Sequence, residues 1–144
     1  MESLQEKNKK VVLRFNTEIL EQGNAETFKE IMHDNFVNRS APESANKKED
    51  IFNNITRVLH KAFPDLKVEI LDQLAEGDKV TTRKVITATH AGELMGIAPT
   101  NKQVKIDVID IVTVKDGKYF EHWGINTLQN LVNELRAQQS QHQR

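Results

Sequence analysis

No cysteine occurs in the 144 residues, which excludes disulfides, thiolate metal sites and cysteine nucleophiles. An excess of one charge is missing too: 20 basic residues stand against 21 acidic ones, so no electrostatic footprint for nucleic acid or an anionic membrane is present. Aromatics make up 6% of the chain, too few for a base-stacking surface. Long hydrophobic runs are absent. The longest stretch without Asp, Glu, Lys or Arg is His122–Asn133, too short and too polar to span a bilayer. The opening MESLQEKNKK lacks the apolar core of a signal peptide. These absences lead to the expectation of a cytoplasmic protein with neither nucleic acid nor membrane as partner.

What is present suits one domain over 1–144, with a core at about 5–136 and a polar tail AQQSQHQR. A chain of this size buries about 68–70% of its unfolded surface without a metal or disulfide staple. The first half has helical spacing. Leu4, Val11, Val12, Phe15, Ile19 and Leu20 form one stripe, with Gly23 at its C-terminal cap. Asn24 caps a short second helix carrying Phe28, Ile31 and Met32, and a third is predicted from about Ser44 to Ala62, stopped by Pro64.

The period then changes to two. Lys67–Ala75 places Val68, Ile70 and Leu74 on one side; Lys79–His90 and Val104–Lys115 read as long strands; Asp116-Gly117 turns the chain into Lys118–Gly124. A last helix is predicted from near Asn126, with Leu128, Leu131, Val132 and Leu135 as its stripe. Helices followed by meandering strands indicate an α+β fold, an antiparallel sheet with helices against one face. Long strands twist and curve, and such a sheet encloses a pocket wherever the helices do not fill it.

Asp110 is the one polar residue among Val104, Ile106, Val108, Val112 and Val114 on its strand face. Loss of hydration there raises a carboxyl pKa unless hydrogen bonds or cations compensate, and suits the group to proton transfer; a structural Asp bonded to a neighbouring strand is the other reading. On Lys79–His90 neither the set containing Arg83 nor the set containing Lys84 is cleanly apolar, so the register stays open. His90 is either a satisfied structural histidine or, standing at a strand end before the loop to Gln103, a functional group, since loops on rigid scaffolds hold many sites. Tyr119, Glu121 and Trp123 share one face of their strand and Phe120 and His122 the other, with Trp123 either a core anchor or a ligand platform. Asn38 and Arg39 either present an amide and a guanidinium to a pocket mouth or form the turn leading to Pro42. Asn126 has capping-box spacing to Gln129.

The five histidines show no paired ligand spacing, and no P-loop, dinucleotide fingerprint or Gly-x-Ser-x-Gly elbow occurs. An enzyme with this sequence is therefore expected to use no metal and no cofactor, and to work by acid–base chemistry.

Thr89-His90-Ala91-Gly92-Glu93-Leu94-Met95-Gly96-Ile97-Ala98-Pro99-Thr100, then Ile109-Asp110-Ile111, Asp116-Gly117-Lys118 and Glu121-His122-Trp123, follow one another in an order that resembles the SnoaL-like polyketide cyclases, or ester cyclases, of the nuclear-transport-factor-2-like superfamily. Gly77-Asp78-Lys79-Val80 and Arg83 match as well, and the resemblance covers most of residues 5–136. It implies a cone-shaped fold, a curved antiparallel sheet packed on N-terminal helices around an apolar cavity, usually oligomeric through the sheet. It also implies cofactor-free, aldol-type ring closure with an Asp as general acid/base. The family's Asp shortly after the Trp is replaced here by Gly124, Asn126 and Thr127. Asp110, with His90 as partner, is then the catalytic expectation, and Asn38, Arg39, Arg83, His122 and Trp123 are expected to bind a small, largely apolar carbonyl compound. The alternative is a non-catalytic protein that holds a small molecule in the same cavity.

Overall fold

The computed structural model describes residues 1–142. Helix α1 (Leu4–Arg14) starts at Ser3, whose hydroxyl accepts from the Glu6 amide, and runs into a wider helical stretch, π1 (Phe15–Leu20). There the Glu21 N–H reaches back five residues to the Asn16 carbonyl, and the widened turn buries Phe15, Asn16, Ile19 and Leu20 together. Such widened turns are rare and often mark functional sites. Gly23, at φ +66°, ends the run, as the left-handed cap position requires. Helix α2 (Ala25–Ile31) is capped by Asn24, which accepts from the Glu26 and Thr27 amides.

Strand β1 (Met32–Asn38) follows at once. The third helical run begins later than its sequence suggests. A separate turn occupies Glu43–Ala45, and α3 (Lys48–Asn53) starts where the Asp50 carboxylate accepts from the Lys47 N–H at 3.0 Å. It continues through π2 (Asn54–Leu59) and α4 (His60–Ala62). Strands β2 (Lys67–Glu76), β3 (Lys79–Thr89), β4 (Gln103–Lys115) and β5 (Lys118–Asn126) precede the last helix, α5 (Leu128–His142). Among the described residues, no helix is long and apolar enough to cross a membrane.

The five strands form one sheet in the order β1-β5-β4-β3-β2. Neighbours from β2 to β5 are antiparallel, whereas β1 runs parallel to β5. The sheet is thus mixed at this edge, where a long connection separates the two partners in sequence, as parallel pairing requires. Helical Val12, Phe15 and Ile19 pack with Val80, Ile86 and Val112 of the inner sheet face, all buried. Full burial of such a side chain contributes roughly 1.5–3 kcal/mol, so this seam is the main hold between helices and sheet.

Two bulges redirect side chains against simple alternation. On β2 the pairing steps from Ile70↔Lys84 to Asp72↔Arg83. Beyond Leu71 the inner face therefore carries Gln73 and Ala75, while Leu74, expected beside Val68 and Ile70, is exposed on the outer face. On β5 the pairing steps from Val114↔Tyr119 to Thr113↔Glu121. Because one extra residue flips everything after it, Tyr119 and His122 both come to the inner side and Trp123 to the outer.

Candidate functional site

Asp110 lies midway along β4, pointing inward as the alternation predicts, and is 3% exposed. Its Oδ2 receives a hydrogen bond from Lys84 Nζ at 3.0 Å and lies 3.5 Å from His122 Nε2. Its Oδ1 is buried without a hydrogen-bond partner among the described residues. Lys84 is as buried as Asp110, because the inner set of β3 is the one holding Val80, Thr82, Lys84, Ile86 and Ala88. Its ammonium also donates to Asn16 Oδ1 at 2.6 Å, and Asn16 Nδ2 donates to the Val12 carbonyl at 2.9 Å. The widened turn of π1 thus supplies a neutral acceptor to a buried cation.

On the other side of Asp110, the β1–β5 register sets Asn38 beside His122. His122 Nδ1 lies 3.0 Å from Asn38 Oδ1, which also accepts from the Ser40 N–H at 3.1 Å. Gly124 is paired with Asp110 across β4 and β5. The Ser40 hydroxyl accepts from the Gly124 N–H at 2.6 Å and donates to the Gly124 carbonyl at 3.2 Å.

Burial acts most strongly on the Asp110 carboxyl, pushing its pKa up, but His122 and Lys84 together outweigh it and hold the group below its ordinary value. The carboxylate is therefore ionised at neutral pH. Burial, assisted by the Asp110 charge, pushes the Tyr119 phenol well above its ordinary value, so that it stays protonated. Tyr119 stacks on Phe15, with ring centroids 4.2 Å apart, and closes the inner side of the site.

The cluster opens on a pocket of about 230 Å³. Phe15, Leu20, Ile51, Ile55, Leu59 and Ile86 are among its apolar walls, and Asn38, Lys84, Asp110 and His122 are joined as polar groups by Ser40, Asn54 and Asn126. Apolar walls with a few convergent polar groups are what a small-molecule site requires. Among the described residues, no three His, Cys, Asp or Glu side chains converge to hold a metal ion.

Of the residues singled out from sequence, the structure brings Asp110, His122 and Asn38 together. It does not bring His90 to them. The His90 amide bonds the Lys102 carbonyl, so it stands beside β4 about 25 Å of extended strand from Asp110. There the ring packs on Phe63 and its Nδ1 meets the Thr100 hydroxyl at 2.9 Å. Burial lowers its pKa. Arg83 sits on the outer face, paired with Asp72 at 2.6 Å, since Lys84 takes the inward position. Trp123 is on that face too, under the Lys79 ammonium, because of the β5 bulge. Arg39 points away to pair with Glu121 at 2.8 Å. Sequence reasoning named Lys84 without choosing its face and missed Asn16 and Ser40, which become polar partners only through contacts between distant segments. Asn126 accepts from the Leu128 amide at 3.0 Å but ends β5, one residue before the N-cap position at Thr127, and Gln129 bonds Asn133 and makes no reciprocal arm.

A curved five-stranded sheet with helices on its inner face defines the cone-shaped α+β class, here with a carboxylate beside a small pocket. The family model for SnoaL-like polyketide cyclases matches residues 10–135, and the chain belongs to that family. Solved structures agree. A candidate SnoaL-like polyketide cyclase from Jannaschia sp. CCS1 is 22% identical with a TM-score of 0.80, over 92% of this chain and 93% of that one. AclR, a candidate hydroxylase from Streptomyces galilaeus, is 28% identical with a TM-score of 0.79, over 92% and 98%. A candidate polyketide cyclase from Bacillus cereus ATCC 10987 is 28% identical with a TM-score of 0.77, over 93% and 85%. No curated protein matches the sequence.

Proposed function

We propose that this protein is a cytoplasmic, cofactor-free acid–base catalyst that enolises a small, largely apolar carbonyl compound, for aldol-type cyclisation or isomerisation. One observation carries the reading: the ionised Asp110 lies at the pocket with Oδ1 free of any hydrogen bond among the described residues. A buried acceptor left unmatched by its own chain costs about 1–3 kcal/mol, and a ligand's acidic C–H or O–H offers it a partner. The apolar walls hold the reacting carbon against it, and such positioning contributes about 7–11 kcal/mol in well-oriented reactions. The family and its cyclase-named relatives support the same chemistry.

The test is α-proton exchange into D2O from 4-phenylbutan-2-one, followed by proton NMR. Wild type accelerates the exchange and Asp110→Asn loses at least ~100-fold, the low end for a positioned acid or base. Equal exchange by both proteins overturns the reading.

A second reading is favoured by Gly124, Asn126 and Thr127 where the family has an Asp: the pocket holds its ligand without changing a bond. Calorimetric affinity for the same ketone then survives Asp110→Asn within about tenfold, with no exchange by either protein. We also propose a homo-oligomer formed through the outer sheet face, where Leu74, Ile109, Ile111, Trp123 and Ile125 are exposed. An apolar patch of this kind suits a self-complementary two-fold contact.

A further inference from the structure

We propose that His122 is the proton donor of this site and that Asn38 dictates which of its nitrogens does the donating. The inference rests on the acid–base reading above and assigns the second half of it.

Asn38 Oδ1 accepts from a backbone N–H, that of Ser40, at 3.1 Å. An amide nitrogen in that place would set donor against donor, so the side-chain orientation is fixed by its partners. The same Oδ1 lies 3.0 Å from His122 Nδ1. An oxygen that only accepts requires a proton on that nitrogen. Nδ1 of His122 is therefore the N–H end of the ring in the neutral as well as the charged form. The proton that comes and goes sits on Nε2.

Nε2 is the nitrogen that faces Asp110 Oδ2, at 3.5 Å. Without a proton there, two lone pairs confront each other. With it, the ring is an imidazolium beside a carboxylate, and both can act on one ligand. The space for this arrangement comes from Gly124: a Cβ on that residue would lie 2.8 Å from His122 Cε1 and 3.0 Å from Nε2. Ser40 holds the Gly124 backbone in place through both its N–H and its carbonyl. The ring thus occupies space that any larger residue at 124 would enter.

In the reaction, Asp110 Oδ1 takes the α-proton and the C–H electron pair becomes the carbon–carbon double bond. The carbonyl π pair moves to oxygen, which takes the proton from His122 Nε2. An enol, a neutral carboxyl and a neutral imidazole result. Proton transfer from the Asp110 carboxyl to the vacant Nε2 restores the starting charges. Lys84 keeps its ammonium on Oδ2 throughout and orients the carboxylate.

The experiment uses the full chain labelled with nitrogen-15, with imidazole tautomers read from long-range proton–nitrogen correlations and His122 assigned through His122→Gln. Wild type, observed where the ring is neutral, is expected to carry its proton on Nδ1, opposite to the preference of free histidine. A wild-type His122 protonated on Nε2 overturns the proposal without any variant. Asn38→Ala moves the proton to Nε2 and lowers ketone exchange at least tenfold, whereas Asn38→Asp keeps an acceptor and retains Nδ1–H. Exchange by His122→Gln within threefold of wild type also overturns the proposal; the expected loss is at least ~100-fold. If wild type catalyses no exchange but shows Nδ1–H, the reaction reading fails while the tautomer assignment stands, so the two failures are distinct.

Discussion

Asp110 and Gly124 face each other across β4 and β5, and the side chain that Gly124 lacks is what admits the His122 imidazole to the carboxylate. A glycine in the middle of a strand weakens it. Here it serves the close approach of a ring from two residues earlier in the same strand. The imidazole lies where a side chain on residue 124 would start.

Gly124→Ala tests that relationship. The added methyl enters the imidazole's space, and the overpacking costs about 1–3 kcal/mol. The urea midpoint is expected to fall, and the His122 ring signals to move, with the sheet's amide signals elsewhere unchanged. An unaltered His122 spectrum would show that the ring has other room.

Lys84→Met leaves Asp110 buried without its cation. The side chains of the pair are 4% and 2% exposed, and breaking a pair this deep costs about 3–5 kcal/mol. The double variant Lys84→Met/Asp110→Leu removes both charges and is expected to recover most of that loss, a non-additivity that equilibrium unfolding of the four proteins measures. Simple addition of the two single effects would mean that the charges do not stabilise each other.

The Asp110 carboxyl titrates lower in the folded protein than in the unfolded chain. Its contribution to stability is therefore fully present above the ordinary Asp value of 3.8 and is lost as pH falls through the lower folded value. Asp110→Asn, less stable at neutral pH, is expected to lose less stability than wild type over that acid range. Parallel stability curves below pH 4 would contradict the assigned direction.

His90 gives a separate pH dependence. Burial lowers its pKa below the ordinary 6.5, so the unfolded chain takes up its proton first as pH drops. The stability it contributes is fully present above about pH 6.5 and is lost as pH falls towards the folded value. His90→Gln should remove this slope from denaturation curves below neutral pH. A slope retained in full would place its origin elsewhere.

Ile109 and Ile125 are paired neighbours on the outer face, 52% and 82% exposed. The double variant Ile109→Glu/Ile125→Glu leaves the inner face untouched. Sedimentation velocity is expected to show an oligomer for wild type and a monomer for the variant. A monomeric wild type would remove the sheet-face interface.

The alternation of Val104 to Val114 is enough to place Asp110 inside, because neighbouring side chains of an unbulged strand must take opposite faces. The Gly23 and Asn24 caps, the Asp116-Gly117 turn and the buried stripe from Val12 to Leu20 were equally readable, since each depends on residues within one or two turns of one another, whereas Leu4 is exposed and Met32 opens β1. Matching motif order also carried the family.

What the tertiary structure decided is everything that depends on two distant segments meeting. The bulges at Leu71 and Phe120 choose which residues beyond them face inward, and no local pattern marks them. The choice of Lys84 over Arg83 for the interior follows from pairing with β4, where Lys84 stands opposite Val108 and Arg83 opposite Ile109. The carboxylate's own partners come from β3 and β5, and π1 and β1 hold those partners in turn, so its charge is an outcome of assembly: burial alone, the part visible in the sequence, pushes the proton the other way.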